Sequence, residues 1–460
     1  NNVNLNMVNK YIFREYDIRG KVVDDFPPQV VNQLGKGFGT FVKRSGFQEI
    51  ALSGDIRLTT PKLMEEFKNG VLSTGVDVIN LGILPTPANY YSMFKLEVGG
   101  AVQITGSHNP PEFNGFKMSL DRKAVYGKDI QTLRKYIDNN DFDIGNGNEI
   151  KYDIKSDYKS MIIDKINIER TMKVVMDCGN AAGAINAPDI FRNLNIDLTE
   201  LYCDPDGTFP NHHPDPTVKE NLKDLIDIMK SGNHDIGIAF DGDADRVGVV
   251  DETGDIIWAD QLMALFLPEV IQNNDEILFD VKCSQALEDM IIRYGGKPVM
   301  WKTGHSLIKQ KMNELGCKLG GEMSGHIFFA DDYYGYDDAI YVAARIVQTL
   351  SRSDKKLSEL KAELPIYHST PEMRMACESD EEKFRIANEA IKFFQDNYDC
   401  ITVDGVRIKF GDGWGLVRSS NTQPVIVCRF EANTLERMEE IKELVLNKIK
   451  TIGDVQLDVH

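Results

Sequence analysis

The sequence predicts a multidomain α/β protein in which three α/β units are followed by a smaller α+β domain. The chain has 460 residues, too many for one hydrophobic core and enough for about three or four ordinary domains. Three apolar, β-prone runs each end in a turn with small residues or Asp and then change to helical spacing. The C-terminal part instead alternates strands and flanking helices.

The three runs lie at 50–55, 174–180 and 277–281, about a domain length apart. Each is predicted to be a strand followed by a loop and a helix. This arrangement suggests three related α/β units in series. Any α/β protein has such strand ends, so unrelated domains remain an alternative.

Domain boundaries are predicted near 150, 253 and 365, where polar helical sequence or Pro365 interrupts the pattern. The predicted domains are 1–150, 151–253, 254–365 and 366–460. The last is predicted to contain a helix at 381–398, strands at 402–410, 415–418 and 425–431, and a helix at 434–450.

Composition excludes several classes of protein. The hydrophobic fraction is 42% and the charged fraction 27%, values near the globular average, and no apolar run approaches the ~20 residues that span a bilayer. The first ten residues show no secretory pattern, so we expect a cytoplasmic protein. Seven cysteines without a Cys-x-x-Cys pair fit neither a disulfide framework nor a thiolate zinc site.

The formal net charge is -19, which disfavours nucleic acid as a partner. The same charge would repel small phosphorylated ligands. A phosphate-handling site in this chain must therefore concentrate Arg, Lys and backbone N–H groups locally.

The loop 105–110 reads Thr-Gly-Ser-His-Asn-Pro and follows a predicted strand. Gly106 frees the backbone and Pro110 stiffens the exit, so Ser107 and His108 are predicted to stand on an exposed tip. A serine displayed in this way can carry a group covalently, although an ordinary turn has the same composition. The spacing differs from Gly-x-Ser-x-Gly, which disfavours an acyl-enzyme nucleophile.

Three aspartates at alternate positions, Asp241, Asp243 and Asp245, occupy a loop between two predicted strands. Their carboxylates can converge on one hard cation such as Mg²⁺ and leave coordination sites for a phosphate oxygen. An EF-hand shares this spacing, but Arg246 stands where that loop needs Gly, and the flanks are strands. A phosphatase with an aspartyl nucleophile and a solvated acidic loop are weaker alternatives.

Two further glycine-rich loops carry polar side chains. The loop 319–326 contains Glu322 and Ser324, which suit sugar hydroxyls, and His326, which can move a proton near neutral pH. The segment 302–305, Lys-Thr-Gly-His, can add a second basic loop.

The loop 417–424 combines one guanidinium with hydroxyl, amide and backbone N–H donors. Such a loop can form a nest for a tetrahedral dianion, which meets the requirement for a local positive site. A capped turn between two strands is the alternative.

In this order, the four loops resemble the phosphoserine, metal, sugar-binding and phosphate-binding loops of the α-D-phosphohexomutase superfamily. Tyr-Asp-Ile-Arg-Gly at 16–20 and the length fit its bacterial phosphomannomutase/phosphoglucomutase branch, so the resemblance spans essentially the whole chain. It implies three similar α/β domains with mixed sheets and a smaller C-terminal α+β domain around a central cleft.

The resemblance also implies an isomerase of carbohydrate metabolism, an intramolecular phosphotransferase that interconverts hexose 1-phosphate and hexose 6-phosphate of mannose and/or glucose. Mg²⁺ would be its metal, and a hexose 1,6-bisphosphate, such as glucose 1,6-bisphosphate, its activator and bound intermediate. Sugar phosphates would be its only partners, and we expect a monomer.

By the same resemblance, Ser107 is the phosphoserine, and one of its phosphoryl oxygens joins Asp241, Asp243 and Asp245 around the metal. The implied catalytic residues are Ser107, Arg19, His108, Lys117, Arg246 and His326. The implied substrate contacts are Tyr16, Lys282, His305, Glu322, Ser324, His326, Arg418, Ser420, Asn421 and Thr422. His326 is predicted to be the general base, with Lys117 as second candidate.

Three alternatives remain. Phosphoglucosamine mutase differs in the sugar loop, where Met323 favours the mannose/glucose branch. A non-catalytic sugar-phosphate binding protein would have lost Ser107 or a metal-loop aspartate, and neither is lost. A metal-dependent phosphatase would use an activated water instead of a serine carrier.

Overall fold

The computed structural model describes residues 8–421 and 423–457. Its chain forms two compact units: the first extends through residue 258 and includes 324–360, and the second comprises 259–323 and the chain from 361 onward. Within these described residues, no helix combines the length and the apolar character that a membrane span requires.

The first domain is a mixed seven-stranded sheet with the order β1-β5-β4-β2-β3-β7 and β6 beside β5. Its elements are β1 Ile18–Lys21, α1 Val22–Asp25, α2 Pro28–Arg44, β2 Glu49–Gly54, α3 Thr60–Leu72, β3 Asp77–Ile83, α4 Thr86–Lys95, β4 Gly100–Ile104, β5 Phe113–Leu120, β6 Lys123–Ala124, α5 Lys128–Asp138 and β7 Glu149–Lys151. Phe67 of α3 stacks on Phe116 of β5 with ring centroids 5.1 Å apart, and both belong to the hydrophobic core of this domain.

The second domain is a mixed sheet with the order β12-β11-β10-β8-β9. Its elements are α6 Ile154–Lys165, β8 Met172–Asp177, α7 Ala187–Arg192, β9 Ile196–Leu201, α8 Lys223–Lys230, β10 Ile236–Phe240, β11 Val247–Val250 and β12 Ile256–Ile257. β10 and β11 are antiparallel, with Phe240 opposite Val247. The aspartate-rich loop 241–246 therefore joins the two strands of a buried hairpin, as predicted.

The third domain contributes to both units. Its elements are α9 Ala259–Val270, β13 Glu276–Asp280, α10 Gln285–Arg293, β14 Lys297–Trp301, α11 His305–Leu315, β15 Leu319–Gly321, β16 Ile327–Phe329, α12 Ala339–Ser351 and α13 Leu357–Ala362. In the second unit, β13 runs parallel to β14 and to β15. In the first unit, α12 packs against β10 and β11.

The three predicted runs form β2, β8 and β13, and each is paired in parallel with a neighbour on both sides. Parallel strands inside a sheet are buried on both faces, so they appear in the sequence as continuous apolar runs. Each run leads directly to a buried aspartate: Asp55, Asp177 or Asp280. The first three domains are thus related in topology, and the predicted class of three α/β domains and a C-terminal α+β domain is confirmed.

The fourth domain, in the second unit, is antiparallel, with the strand order β19-β20-β21-β22-β18-β23 and β17 beside β22. Its elements are β17 His368–Ser369, β18 Met373–Ala376, α14 Asp380–Asn397, β19 Asp399–Ile401, β20 Val406–Lys409, β21 Gly413–Ser419, β22 Val425–Ala432, α15 Leu435–Ile452 and β23 Gln456–Leu457. The predicted single strand at 402–410 is wrong in its first half. Gly405, at φ 64°, turns the chain there, so β19 and β20 form a hairpin.

Candidate active site

Ser107 lies in the loop between β4 and β5, but it is not on an exposed tip: only 3% of the residue is accessible. The prediction of an exposed serine is wrong because loops of the second domain cover it. His213 contacts the carbonyl oxygen of His108. A Cβ on Gly242 would stand 1.9 Å from the carbonyl oxygen of Ser107, so the backbone of the aspartate loop touches the serine loop itself.

The backbone at Ser107 is held in the left-handed region, with φ 53°. Its N–H donates to Oγ1 of Thr105 at 2.9 Å, and its Oγ lies 3.2 Å from Nδ1 of His108. The positive charge of Arg246, burial and the charge of Arg19 lower the pKa of His108 well below its usual value. The imidazole beside Ser107 is therefore neutral at neutral pH.

Asp241, Asp243 and Asp245 converge, with one carboxylate oxygen of each within 4.8 Å of the others. They are at most 1% exposed. Burial and mutual repulsion raise the pKa of Asp241 well above its usual value and raise that of Asp243. In the described structure, Oδ1 of Asp243 and Oδ1 of Asp245 are buried without a hydrogen-bond partner. Buried hard oxygen atoms that lack donors fit a divalent cation, and this cluster could bind one.

Lys117 and Arg246 bring positive charge to the aspartate cluster. Lys117, on β5, places Nζ 2.6 Å from Asp243 and 2.7 Å from Asp245. Burial opposes its charge, but the carboxylates raise the pKa of Lys117 well above its usual value, and its charge helps hold the pKa of Asp245 well below the ordinary value. Arg246 donates from Nε to Asp241 at 3.1 Å and pairs with Asp215 at 3.0 Å. A phosphoryl group here would meet two buried cations.

His326 stands on the edge of the same cluster. Its Nδ1 lies 2.9 Å from Asp337 and 3.9 Å from Asp245. The carboxylate of Asp337 orients the imidazole, in the way that an acid partner orients a catalytic histidine. Ser324 accepts from Arg246 through its carbonyl oxygen at 3.2 Å, and its Oγ is buried without a partner in the described residues.

Arg19 reaches the serine loop from β1. It donates to Asn109 at 2.6 Å and to Asp17 at 2.6 Å. Tyr16 packs near Tyr126, with ring centroids 6.4 Å apart. The first unit therefore assembles all of the candidate catalytic residues, together with Tyr16 and Ser324.

The second unit holds the remaining predicted substrate contacts that the structure describes. Glu322 is 2% exposed and accepts at 2.7 Å from the N–H of Gly304, the residue before His305. Lys282 pairs with Glu372 at 2.6 Å. Burial opposes ionisation of Glu372, but the charges of Lys282, Arg374 and Arg418 lower its pKa. Basic side chains are thus concentrated here despite the acidic chain.

The predicted phosphate loop joins β21 to β22. Arg418 is 5% exposed and lies 3.2 Å from Asp404. The buried ammonium of Lys383 donates to the carbonyl oxygens of Ser420 at 2.8 Å and Gln423 at 3.1 Å, which fixes the loop backbone. Asn421 lies at the loop tip. Thr422 lies outside the described residues.

Sequence reasoning missed several residues that build these sites. They are Arg57, His213, Asp215, Asp337, Glu372, Lys383 and Asp404. A signal existed for Arg57, which follows the predicted strand end as Asp-Ile-Arg, and for the polar segment Asn-His-His-Pro-Asp at 211–215. Neither pattern is specific without the contacts.

Comparison with known proteins identifies the family of the chain. Sequence models of the phosphoglucomutase/phosphomannomutase alpha/beta/alpha domains I, II and III match residues 10–143, 156–254 and 258–367, and that of the C-terminal domain matches 372–448. A phosphomannomutase/phosphoglucomutase from Pseudomonas aeruginosa is 44% identical over 444 residues, which is 96% of each chain.

Solved structures agree. A phosphoglucomutase/phosphomannomutase family protein from Burkholderia thailandensis has a TM-score of 0.92 and 39% identity, covering 98% of this chain and 100% of that one. An N-acetylphosphoglucosamine mutase from Aspergillus fumigatus, in complex with glucose 1,6-bisphosphate, has a TM-score of 0.59 and 12% identity, covering 97% of each chain, and shows the fold alone. The protein therefore belongs to the phosphoglucomutase/phosphomannomutase family, and it is a mutase of hexose phosphates.

Proposed function

We propose that the enzyme lends a phosphoryl group from Ser107 to a hexose phosphate and recovers it from the resulting hexose 1,6-bisphosphate. The exchange interconverts the 1- and 6-phosphates of mannose and/or glucose. The observation that supports this most directly is the contact between the serine loop and the aspartate loop, where Gly242 packs against the carbonyl oxygen of Ser107. A buried serine beside three carboxylates suits a phosphoryl carrier with a metal partner, and an acyl-enzyme would need no such cluster.

Asp241, Asp243 and Asp245 would hold Mg²⁺, which their buried hard oxygen atoms fit. When bound, the ion would neutralise charge on the phosphoryl oxygens of phosphorylated Ser107. Phosphoryl transfer depends mainly on alignment and charge stabilisation. Lys117 and Arg246 supply further positive charge at the same place.

We assign proton exchange with the sugar hydroxyl to His326. Its Nδ1 is engaged by Asp337 at 2.9 Å, so the exchange falls to Nε2. Lys117 is the weaker candidate, because two carboxylates raise its pKa well above the usual value and keep it protonated. Arg19 and His108 would orient the serine loop and the phosphoryl group.

The remaining assignments concern recognition of the substrate. Arg418, Ser420, Asn421 and Thr422 would bind the phosphate that is not transferred, where the fork of Arg418 suits a dianion. The groups assigned to the sugar are Tyr16, Lys282, His305, Glu322 and Ser324. We expect the enzyme to act as a monomer in the cytoplasm on sugar phosphates, without nucleic-acid or membrane partners.

The test supplies glucose 1-phosphate or mannose 1-phosphate, Mg²⁺ and a trace of the matching 1,6-bisphosphate, and follows the 6-phosphate. The parent enzyme should isomerise the sugar, and Ser107→Ala should lose nearly all activity because it removes the hydroxyl that would carry the group. Release of inorganic phosphate without isomerisation would overturn the proposal. Faster turnover of glucosamine 1-phosphate would instead favour phosphoglucosamine mutase.

A further inference from the structure

The most completely bonded side chain around the serine loop belongs to Arg57, whose side chain is 0% exposed. Its Nη2 donates to the carbonyl oxygens of Ser107 at 3.1 Å and Asn109 at 2.7 Å. Its Nη1 donates to those of Pro110 at 2.6 Å and Phe113 at 3.1 Å. Three carbonyl groups of the loop and that of the first residue of β5 thus converge on one guanidinium.

Asp55 completes this arrangement from the end of β2. It accepts from Nε of Arg57 at 3.1 Å and from Oγ1 of Thr105 at 2.6 Å. The same Thr105 oxygen accepts the N–H of Ser107 at 2.9 Å. Both backbone polar groups of Ser107 are therefore tied to the Asp55–Arg57 pair, the carbonyl directly and the N–H through one hydroxyl.

This double attachment matters because Ser107 has a positive φ, which a non-glycine residue adopts only when its surroundings impose it. The fit also leaves no space for a larger residue at the neighbouring position: a Cβ on Gly106 would lie 2.5 Å from Cζ of Arg57. The backbone conformation decides where the Oγ of Ser107 points.

We propose that Arg57 is a positioning residue for phosphoryl transfer, which sets the orientation of Ser107 by holding the carbonyl groups from Ser107 onward while Asp55 and Thr105 hold its N–H. The inference rests on the proposed function of Ser107 as the phosphoryl carrier. The hydrogen bonds of Arg57 in the described structure go to Asp55 and to backbone carbonyl groups at 107–113, so we expect it to act on the transfer step rather than on substrate affinity.

The first test is Arg57→Lys. A lysine can pair with Asp55, but its single ammonium group cannot replace the two guanidinium nitrogens that bond four carbonyl groups. Phosphorylation of the unphosphorylated enzyme by glucose 1,6-bisphosphate is followed by intact-protein mass spectrometry, and steady-state kinetics gives kcat and KM. We expect phosphorylation of Ser107 and kcat to fall about 10²-fold, since small misplacements of a reacting group cost about this much, with KM within a few-fold.

Arg345→Lys is the matched control. Arg345 lies on α12 of the same unit and is 7% exposed. Its guanidinium pairs with both carboxylate oxygens of Asp331, at 2.8 Å and 2.6 Å. It should lower the unfolding midpoint as Arg57→Lys does, but leave the rate of Ser107 phosphorylation unchanged. Equal rates in the parent and Arg57→Lys would overturn the inference.

Thr105 provides a second pair of variants that does not disturb the buried guanidinium. Thr105→Val removes the hydroxyl between Asp55 and the N–H of Ser107 and should slow phosphorylation of Ser107, whereas Thr105→Ser keeps the hydroxyl and should restore it. If Arg57→Lys does not fold, these two Thr105 variants test the inference instead. Equal rates of Ser107 phosphorylation in the two variants would overturn it. A parent enzyme that never becomes phosphorylated would instead refute the proposed function.

Discussion

Gly242 lies so close to Ser107 that no other residue fits its place. A Cβ there would approach the carbonyl oxygen of Ser107 to 1.9 Å, far inside contact distance. In the sequence this glycine only leaves room between two aspartates. The structure gives it a second role, since it allows the aspartate loop and the serine loop to touch.

Gly242→Ala should therefore push the two loops apart and reduce mutase activity by about 10²-fold or more. The measurement is kcat with glucose 1-phosphate, together with the thermal unfolding midpoint. Gly316→Ala is the control, because Gly316 has φ 68° with nothing near its Cβ position. It should cost about 1 kcal/mol of stability without loss of activity. Retained activity in Gly242→Ala would contradict the close contact.

At the scale of elements, each central parallel strand ends in an aspartate that ties down neighbouring loops. Asp55 holds the serine loop through Thr105. Asp177 accepts from His212 at 2.8 Å, next to the residue that contacts the serine loop. Asp280 accepts from Thr303 at 3.0 Å. The repeated strand ends thus build the sites as well as the fold.

The pair of His212 and Asp177 predicts a pH-dependent contribution to stability. Burial lowers the pKa of His212, but the hydrogen bond and charge of Asp177 raise it overall above its usual value of 6.5. A raised pKa means that the folded state binds the proton more tightly. The charged pair therefore stabilises the fold below about pH 6.5, and this stabilisation is lost as pH rises through the raised pKa.

His212→Gln should thus lower the unfolding midpoint more at about pH 5.5 than at about pH 8.5. The exposed His368 provides the control variant His368→Gln, which should have the same small effect at both values. A larger loss for His212→Gln at the alkaline value would refute this assignment of the charge.

The helix α14 supports the predicted phosphate loop through Lys383. A variant, Lys383→Met, would leave the carbonyl oxygens of Ser420 and Gln423 without their buried donor. KM for glucose 1-phosphate should rise roughly tenfold or more while kcat falls less, because binding of the phosphate is disturbed. Lys392→Met, at an exposed position of the same helix, should change neither; equal effects would show that the buried contact is unimportant.

At the scale of the whole molecule, a net charge of -19 coexists with local clusters of Arg and Lys. Each unit has its own cluster: Lys117 and Arg246 lie together in the first unit, and Lys282, Arg374 and Arg418 lie together in the second. The global charge therefore does not oppose the chemistry locally.

Metal binding should also show in the stability of the whole protein. Mg²⁺ would relieve the repulsion among three buried carboxylates, and an ion that binds only the folded state adds about 2.7 kcal/mol at a hundred times its Kd. The unfolding midpoint should rise with MgCl₂ and fall back with a chelator, and Asp243→Asn should lose most of the rise. KCl at equal ionic strength is the control. A shift that persists in Asp243→Asn would place the ion elsewhere.

The sequence by itself determined the fold class, the three central strands and the chemical character of each loop. Local patterns suffice for these, because apolar runs, turn residues and the spacing of acidic side chains are properties of short segments. The helix predicted at 381–398 is α14, which begins one residue earlier, at Asp380. It begins there because Ser379 caps it by accepting from the N–H of Glu382. The predicted domain boundaries and the individual roles of the site residues stay predictions.

Only the tertiary structure decided that Ser107 is buried and which residues hold it. Arg57, Asp337 and His213 act through partners that sheet order and domain packing bring near them. Arg57 reaches a carbonyl 50 residues away, and His213 one 105 residues away. Contacts at such separations leave no local pattern, because the cost of closing a loop and the choice of strand neighbours are set by the whole chain.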